Sequence, residues 1–276
     1  MKKLGLFLIS AATMVAATAS LSAADYTIFV HGRSGSNHCG TSTTDVNNYW
    51  GAAKDINTST TKYFVGYDGS TDPRTSGSCR AQTGIYSVLE SRCQGSNNCK
   101  VICHSAGCYA MEYFLDNTSK SYNIDLVIAS SSAAGGSELA DLAFWANGGM
   151  DAALKVNAAR TSYNHNDMKG VGIWAIAGYK SVWYAGWRLP GDDDGAVALH
   201  STCGHSSTGS HTACNQSRYS SHYIWAGDYN NNNNYSSSKK AYNRTHVGDN
   251  TSSINDAMKK EWNDCKATTV NGFRCN

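Results

Sequence analysis

Lys100-Val101-Ile102-Cys103-His104-Ser105-Ala106-Gly107-Cys108 is the stretch whose reading decides the fold. Lys100-Val101-Ile102-Cys103 reads as a short buried strand, bounded upstream by the turn-rich Gly95-Ser96-Asn97-Asn98. Cys108-Tyr109-Ala110-Met111-Glu112-Tyr113-Phe114-Leu115 has the spacing of an amphipathic helix. A serine in a strand-to-helix turn with small neighbours has the geometry of a nucleophile elbow. The tight turn pushes the hydroxyl above the sheet, and the small residues let the backbone close without a clash. The pattern G-x-S-x-G is met in part: Ser105 and Gly107 stand in place, while Cys103 replaces the first glycine.

Outward from the turn, strands alternate with helices. Tyr26-Thr27-Ile28-Phe29-Val30 is a β-branched and aromatic run, and Tyr63-Phe64-Val65-Gly66-Tyr67 is another. Between them Val46, Tyr49, Trp50 and Ala53 have helical spacing, which predicts a helix over 45–54. A second helix is expected over 83–92, a strand over 124–129, another over 171–177, and a last helix over 252–265. The strand cores are apolar on both faces, the mark of a mainly parallel sheet covered by helices. With only 2 prolines and no Pro/Gly-rich linker, the chain reads as one domain. Residues 228–240, with asparagine at every position from Asn230 to Asn234, read as a polar surface loop.

Residues 1–24 read as a secretory signal peptide. Lys2-Lys3 form the basic start, an apolar run follows, and Ser22-Ala23-Ala24 offers small residues for cleavage. No later stretch is long and apolar enough to span a bilayer, so no integral membrane segment is expected. Setting aside Lys2 and Lys3 leaves 21 basic residues against 21 acidic. A neutral chain without a basic cluster argues against nucleic acid as a partner.

The 10 cysteines all lie beyond the signal segment and suit an oxidising destination, secreted or periplasmic. Short spacings suggest pairing Cys93 with Cys99, Cys203 with Cys214, and Cys265 with Cys275; Cys39 with Cys79 is a longer pairing. Cys103 and Cys108 form either a bridge or two packed thiols. Packed thiols are the expectation, because a bridge there would constrain the turn.

A serine that hydrolyses an ester needs an exposed hydroxyl, a base, an acid that orients the base, and donors for the oxyanion. Ser105 supplies the hydroxyl. Asp192-Asp193-Asp194-Gly195 follows the 171–177 strand and offers the acid; Asp194 is chosen because Gly195 follows it directly. The alternative for this triplet is a calcium-binding or solvated turn, since adjacent carboxylates repel. His246 lies in the loop before the last helix and is the candidate base, with His222 in reserve. His31-Gly32-Arg33-Ser34-Gly35 is a glycine-rich loop after the first strand. The backbone N–H groups of Arg33 and Ala106 would form the oxyanion hole, with His31 packed beneath the loop and holding it by a hydrogen bond.

Val30-His31-Gly32, His104-Ser105-Ala106-Gly107, Asp194-Gly195-Ala196-Val197 and the late His246 resemble, in this order, the secreted bacterial lipase/esterase branch of the α/β-hydrolase family. Gly136-Ser137-Glu138-Leu139-Ala140-Asp141 is similar to the segment that follows the sixth strand of bacterial true lipases and leads into their helical lid. The likeness covers most of the chain by order of motifs. It departs at Cys103, where the family usually has glycine, and at Ala133-Ala134, where a proline-histidine pair is common. The resemblance implies the α/β-hydrolase fold over 25–276, a mainly parallel central sheet with helices on both faces. Residues 137–163 are then either a lid presenting Leu139, Leu142, Phe144, Trp145, Met150 and Leu154 to an acyl chain or ordinary core packing.

The implied activity is that of a secreted serine hydrolase of carboxylic esters, lipase/esterase-like, working through Ser105, His246 and Asp194 and an acyl-enzyme. Its partners would be ester or lipid small molecules, met in part at a lipid interface. No organic cofactor is implied. Calcium, which the lipase branch binds through aspartates, stays open, because Asp249 lies three residues after His246 rather than two. The alternatives are a polyester depolymerase, an amidase or peptidase on the same fold, and a catalytically silent binding protein.

Overall fold

A computed structural model of the chain describes residues 23–33, 38–56, 59–142, 148–165, 167–183, 185, 188–202, 222–224, 241–242 and 244–246. The signal segment apart from 23–24, the polar loop, the last helix, Phe144, Trp145, Asp249 and the pairings of Cys203 with Cys214 and Cys265 with Cys275 lie outside the described residues.

The strands are β1 Asp25–Val30, β2 Gly40–Ser42, β3 Thr61–Gly66, β4 Asn98–His104, β5 Ile124–Ser130, β6 Gly172–Gly178, β7 His222–Ile224 and β8 Ala241–Tyr242. They form one sheet in the order β2-β3-β1-β4-β5-β6-β7, and β8 also pairs with β6. Every pairing is parallel except that of β2 with β3. Parallel strands need long crossovers, and two of these carry the long helices α1 Ala81–Arg92 and α2 Ala106–Asn117.

Both faces of β1 are buried, as its unbroken apolar run requires. Ile28 and Val30 join the cluster built with Ile85, Val88 and Leu89 of α1 and Tyr109 and Met111 of α2. Phe29 alternates to the opposite face, stacked on Phe64 at 4.6 Å and edge-on to Trp50 at 5.0 Å.

The helix expected over 45–54 shrinks to a 3₁₀ turn, Gly51–Asp55. The Asp45 carboxylate accepts hydrogen bonds from the amides of Tyr49 (3.0 Å) and Trp50 (2.8 Å), offering the backbone a local alternative to a helix. Asn48 sits at φ 51°, which an α-helix does not accommodate. Tyr49 is thereby turned towards the ends of β1 and β4 instead of lying along a helix.

Among the described residues of 137–163 lie three short helices, α3 Glu138–Asp141, α4 Gly149–Ala153 and α5 Val156–Thr161. Ala140, Met150 and Leu154 belong to the main core, whereas Leu142 is 39% exposed.

Cys39 pairs with Cys79 and Cys93 with Cys99, at Cα separations of 5.0 and 5.5 Å. Cys103 and Cys108 are also bridged, with Cα atoms 4.8 Å apart, which corrects the expectation of packed thiols. The turn brings the end of β4 and the first helical turn within bridging distance while both residues stay fully buried.

The turn also explains Gly107. A Cβ there would be driven onto the carbonyl oxygens of Val30 and His31. Gly107→Ala is expected to destabilise the protein by about 1–3 kcal/mol, seen as a lower urea midpoint at unchanged m value. A wild-type midpoint would show that the helix can back away from β1.

Candidate active site

The C-terminal ends of β1, β4, β5 and β6 converge on Ser105, where the loops of an open parallel sheet gather. Ser105 caps α2 at φ 55°, ψ −129°, a backbone conformation that costs a non-glycine residue about 1–3 kcal/mol. Neighbouring chain holds it there. Its N–H donates to Ser130 O at 3.0 Å, and its carbonyl accepts from Cys108 N and Ala133 N, each at 3.1 Å.

The loop after β1 passes directly over this turn. A Cβ on Gly32 would lie 2.6 Å from Ser105 Cβ and 2.8 Å from His104 O, so only glycine allows the approach. His31 is buried, stacked on Tyr67 at 4.1 Å, with its Nδ1 2.8 Å from Gly32 O. It sits beneath the loop and holds it. The Arg33 guanidinium is engaged by Asp151 of α4 through Nε–Oδ1 (2.9 Å) and Nη2–Oδ2 (3.3 Å). Ala106 opens α2, where first-turn amides have no acceptor within the helix.

Asp194 and His246 meet at the turn. His246 Nε2 lies 2.8 Å from Ser105 Oγ, and His246 Nδ1 lies 2.9 Å from Asp194 Oδ2. The network assigns the proton to Nδ1, donated to the carboxylate, and leaves Nε2 to accept the serine hydroxyl. The other carboxylate oxygen, Oδ1, accepts from the amides of Ala196 (3.0 Å) and Val197 (2.8 Å). His246 N also donates to Asp194 O at 2.7 Å, so acid and base are joined through backbone as well as side chains. All three residues are buried, Ser105 and His246 at 7% exposure.

Burial by itself raises the Asp194 pKa. The charge and hydrogen bond of His246, together with the Val197 amide, outweigh it and hold the carboxyl below its ordinary range. Asp193 is shifted the other way: burial pushes it up against the hydrogen bond it accepts from Gly195 N at 2.7 Å. Adjacent carboxylates are thus shifted in opposite directions by their surroundings. Among the described residues no group of three or more His, Cys, Asp or Glu side chains is arranged to hold a metal ion. The reserve base His222 lies abreast of Ile173 in β6. Ile176, beside Ser130, is three residues further on, about 10 Å by strand rise. The backbone therefore places His222 well below the level of Ser105.

Tyr49 and His104 are the site residues that sequence reasoning missed. Tyr49 Oη accepts the Gly32 N–H at 2.9 Å and is hydrogen-bonded to His104 Nδ1 at 2.6 Å. Burial raises the Tyr49 pKa, which keeps the hydroxyl protonated for this task. The His104 ring lies 4.7 Å from that of His246. Tyr49 had been absorbed into an apolar helix pattern, and the only local signal was its polar hydroxyl among Asn47 and Asn48.

No protein-family model matches the chain, and no curated protein matches it in sequence. In structure it is similar to the lipase of Bacillus licheniformis. Against the mature form the TM-score is 0.51 at 19% identity, over 66% of this chain and 80% of that one. Against the propeptide form it is 0.50 at 20% identity, over 64% of this chain and 42% of that one. The likeness is one of fold: the chain has the α/β-hydrolase fold and resembles bacterial lipases and esterases in it.

Burial holds His104 well below its ordinary pKa of 6.5, with His246 adding to the effect, and burial likewise lowers His31. Below 6.5 the unfolded chain takes up protons on these rings while the native rings stay neutral. Stability is therefore fully present above pH 6.5 and declines as the pH falls towards the folded-state values, by about 1.4 kcal/mol per pH unit for each ring. His104→Gln is expected to flatten this decline by one proton, read from urea midpoints between pH 5 and 8. An unchanged slope would mean that His104 is not held neutral.

Proposed function

We propose that the protein is a serine hydrolase of carboxylic esters, exported from the cytoplasm, with lipid or other apolar acyl esters as its substrate class. The observation that carries this reading is the unbroken chain from Ser105 Oγ through the His246 ring to the Asp194 carboxylate, at 2.8 and 2.9 Å. In this reading Ser105 Oγ attacks the ester carbonyl while His246 Nε2 takes its proton. His246 returns that proton to the departing alcohol, leaving an acyl-enzyme. Water, deprotonated by the same nitrogen, then releases the acid and restores the serine. Asp194 fixes the imidazole tautomer and stabilises the imidazolium.

The backbone N–H groups of Arg33 and Ala106 serve the oxyanion, and the Gly32 approach to Ser105 supports that assignment. Tyr49 holds the loop that carries one donor. No organic cofactor and no metal enters these steps. Bridged cysteines support an oxidising compartment, secreted or periplasmic. Among the described residues no helix is long and apolar enough to cross a membrane.

A fluorophosphonate probe is expected to label the wild-type protein and to leave Ser105→Ala unlabelled. On p-nitrophenyl esters His246→Ala and Asp194→Asn lower kcat by about 10⁴-fold or more, while His222→Ala retains most activity. An unreactive wild type would favour a silent binding protein. Cleavage of a peptide but of no ester would replace the ester reading with that of a peptidase, and preference for polyhydroxybutyrate over soluble esters with that of a depolymerase.

Tyr49→Phe removes the partner of the Gly32 N–H and of His104 at once. It is expected to lower kcat about tenfold at little change in KM, since a displaced donor loop weakens transition-state rather than ground-state binding. An unchanged kcat would show that the loop is held without it.

A further inference from the structure

Two bridges close loops of nearly equal length at opposite ends of β4. Cys93–Cys99, with a sequence separation of 6, ties the end of α1 to the start of the strand. Cys103–Cys108, with a separation of 5, ties the end of the strand to the first turn of α2, and Ser105 lies inside its loop. We infer that the Cys103–Cys108 bridge is a positioning element of the reaction, one that holds the Ser105 turn in its reacting conformation. This rests on the reading of Ser105 as the nucleophile.

The two ends of the bridge are unequal in freedom. Cys103 is fixed in the sheet, paired with Val30 of β1 on one side and Ala129 of β5 on the other. Cys108 belongs to the first turn of α2, which packs against the end of β1 at Gly107 but lies outside the hydrogen-bonded ladder of the sheet. Between them Ser105 sits at φ 55°, a conformation that relaxes if α2 swings.

Two hydrogen bonds to the β5 side oppose that relaxation, Ser105 N to Ser130 O and Ala133 N to Ser105 O. The bridge adds a covalent limit, holding the Cα atoms 4.8 Å apart with both side chains wholly buried. A glycine at the Cys103 position would have no side chain to make such a tie. Position matters because attack geometry is unforgiving: a displacement of about 1 Å is worth up to about 100-fold in rate. Cys99 stands six residues before Ser105, about 20 Å by strand rise, so its bridge lacks this leverage.

Loops of similar length constrain the unfolded chain to a similar extent, so stability alone does not distinguish the two bridges. Activity does. The intact protein is compared with Cys93→Ala/Cys99→Ala and with Cys103→Ala/Cys108→Ala by Tm, kcat and KM on a p-nitrophenyl ester, and fluorophosphonate labelling rate. Both variants are expected to lose Tm to a similar degree. Only the second loses kcat and labelling rate, by about 10- to 100-fold, at KM within about twofold of wild type.

Should the second variant not fold, the wild type is partially reduced with a phosphine, alkylated and mapped by mass. Labelling is then lost in step with alkylation of Cys103 and Cys108, and not with that of Cys93 and Cys99. Equal kcat in the two variants, or labelling that survives opening of Cys103–Cys108, overturns the inference alone. A wild type that is never labelled overturns the nucleophile reading and the inference with it.

Discussion

The turn between β4 and α2 holds Ser105 in a backbone conformation that an L-residue keeps only when its surroundings leave no alternative. Everything near the site can be read as part of that enforcement. The sheet supplies Ser130 O and the adjoining loop supplies Ala133 N. Gly107 lets α2 start hard against the end of β1, and Gly32 lets the backbone leaving β1 lie against Ser105. The core beneath is apolar on both faces of the central strands, so this small polar assembly rests on a platform that resists deformation.

The polar groups brought together here are nearly all taken out of water, and their satisfaction gives the site a single arrangement. Asp194 divides its oxygens between the imidazole and two backbone amides, leaving the ring one orientation. Tyr49 joins the loop after β1 to the residue preceding the serine. The neutral rings of His31 and His104 bring no charge close to His246. In a buried network one lost partner strands the groups that depended on it, so these residues act as a set.

Strands β1, β3, β4, β5 and β6, both long helices, and the three residues Ser105, Asp194 and His246 that meet at the turn were legible in the sequence, because each rests on a local pattern. Apolar runs at β1, β4, β5 and β6 announce buried strands, and Gly195 beside Asp194 announces a turn. What was not legible depends on contacts between distant residues. Tyr49 has the spacing of a helical core position, and only the Asp45 carboxylate, by capturing two amides, turns it into a link between loops. The bond between Cys103 and Cys108 is hidden in the sequence for a related reason. Whether two thiols flanking a turn can meet is decided by its φ and ψ, which spacing does not encode.

Ser105 and His246 touch across 141 residues of chain, and Asp194 and His246 across 52. His246 stands four residues beyond the end of β8, a strand of only two residues that pairs with β6. The elbow, by contrast, is made within one strand–turn–helix unit. The shape of the Ser105 turn is thus local information, available as soon as its unit and the neighbouring strands have formed, while its contact with His246 is non-local and waits on closure of a separation of 141 residues. A chain whose last strands have not yet paired carries Ser105 already bent into place without the imidazole beside it. The contact from Ser105 through His246 to Asp194 exists only when the fold is complete.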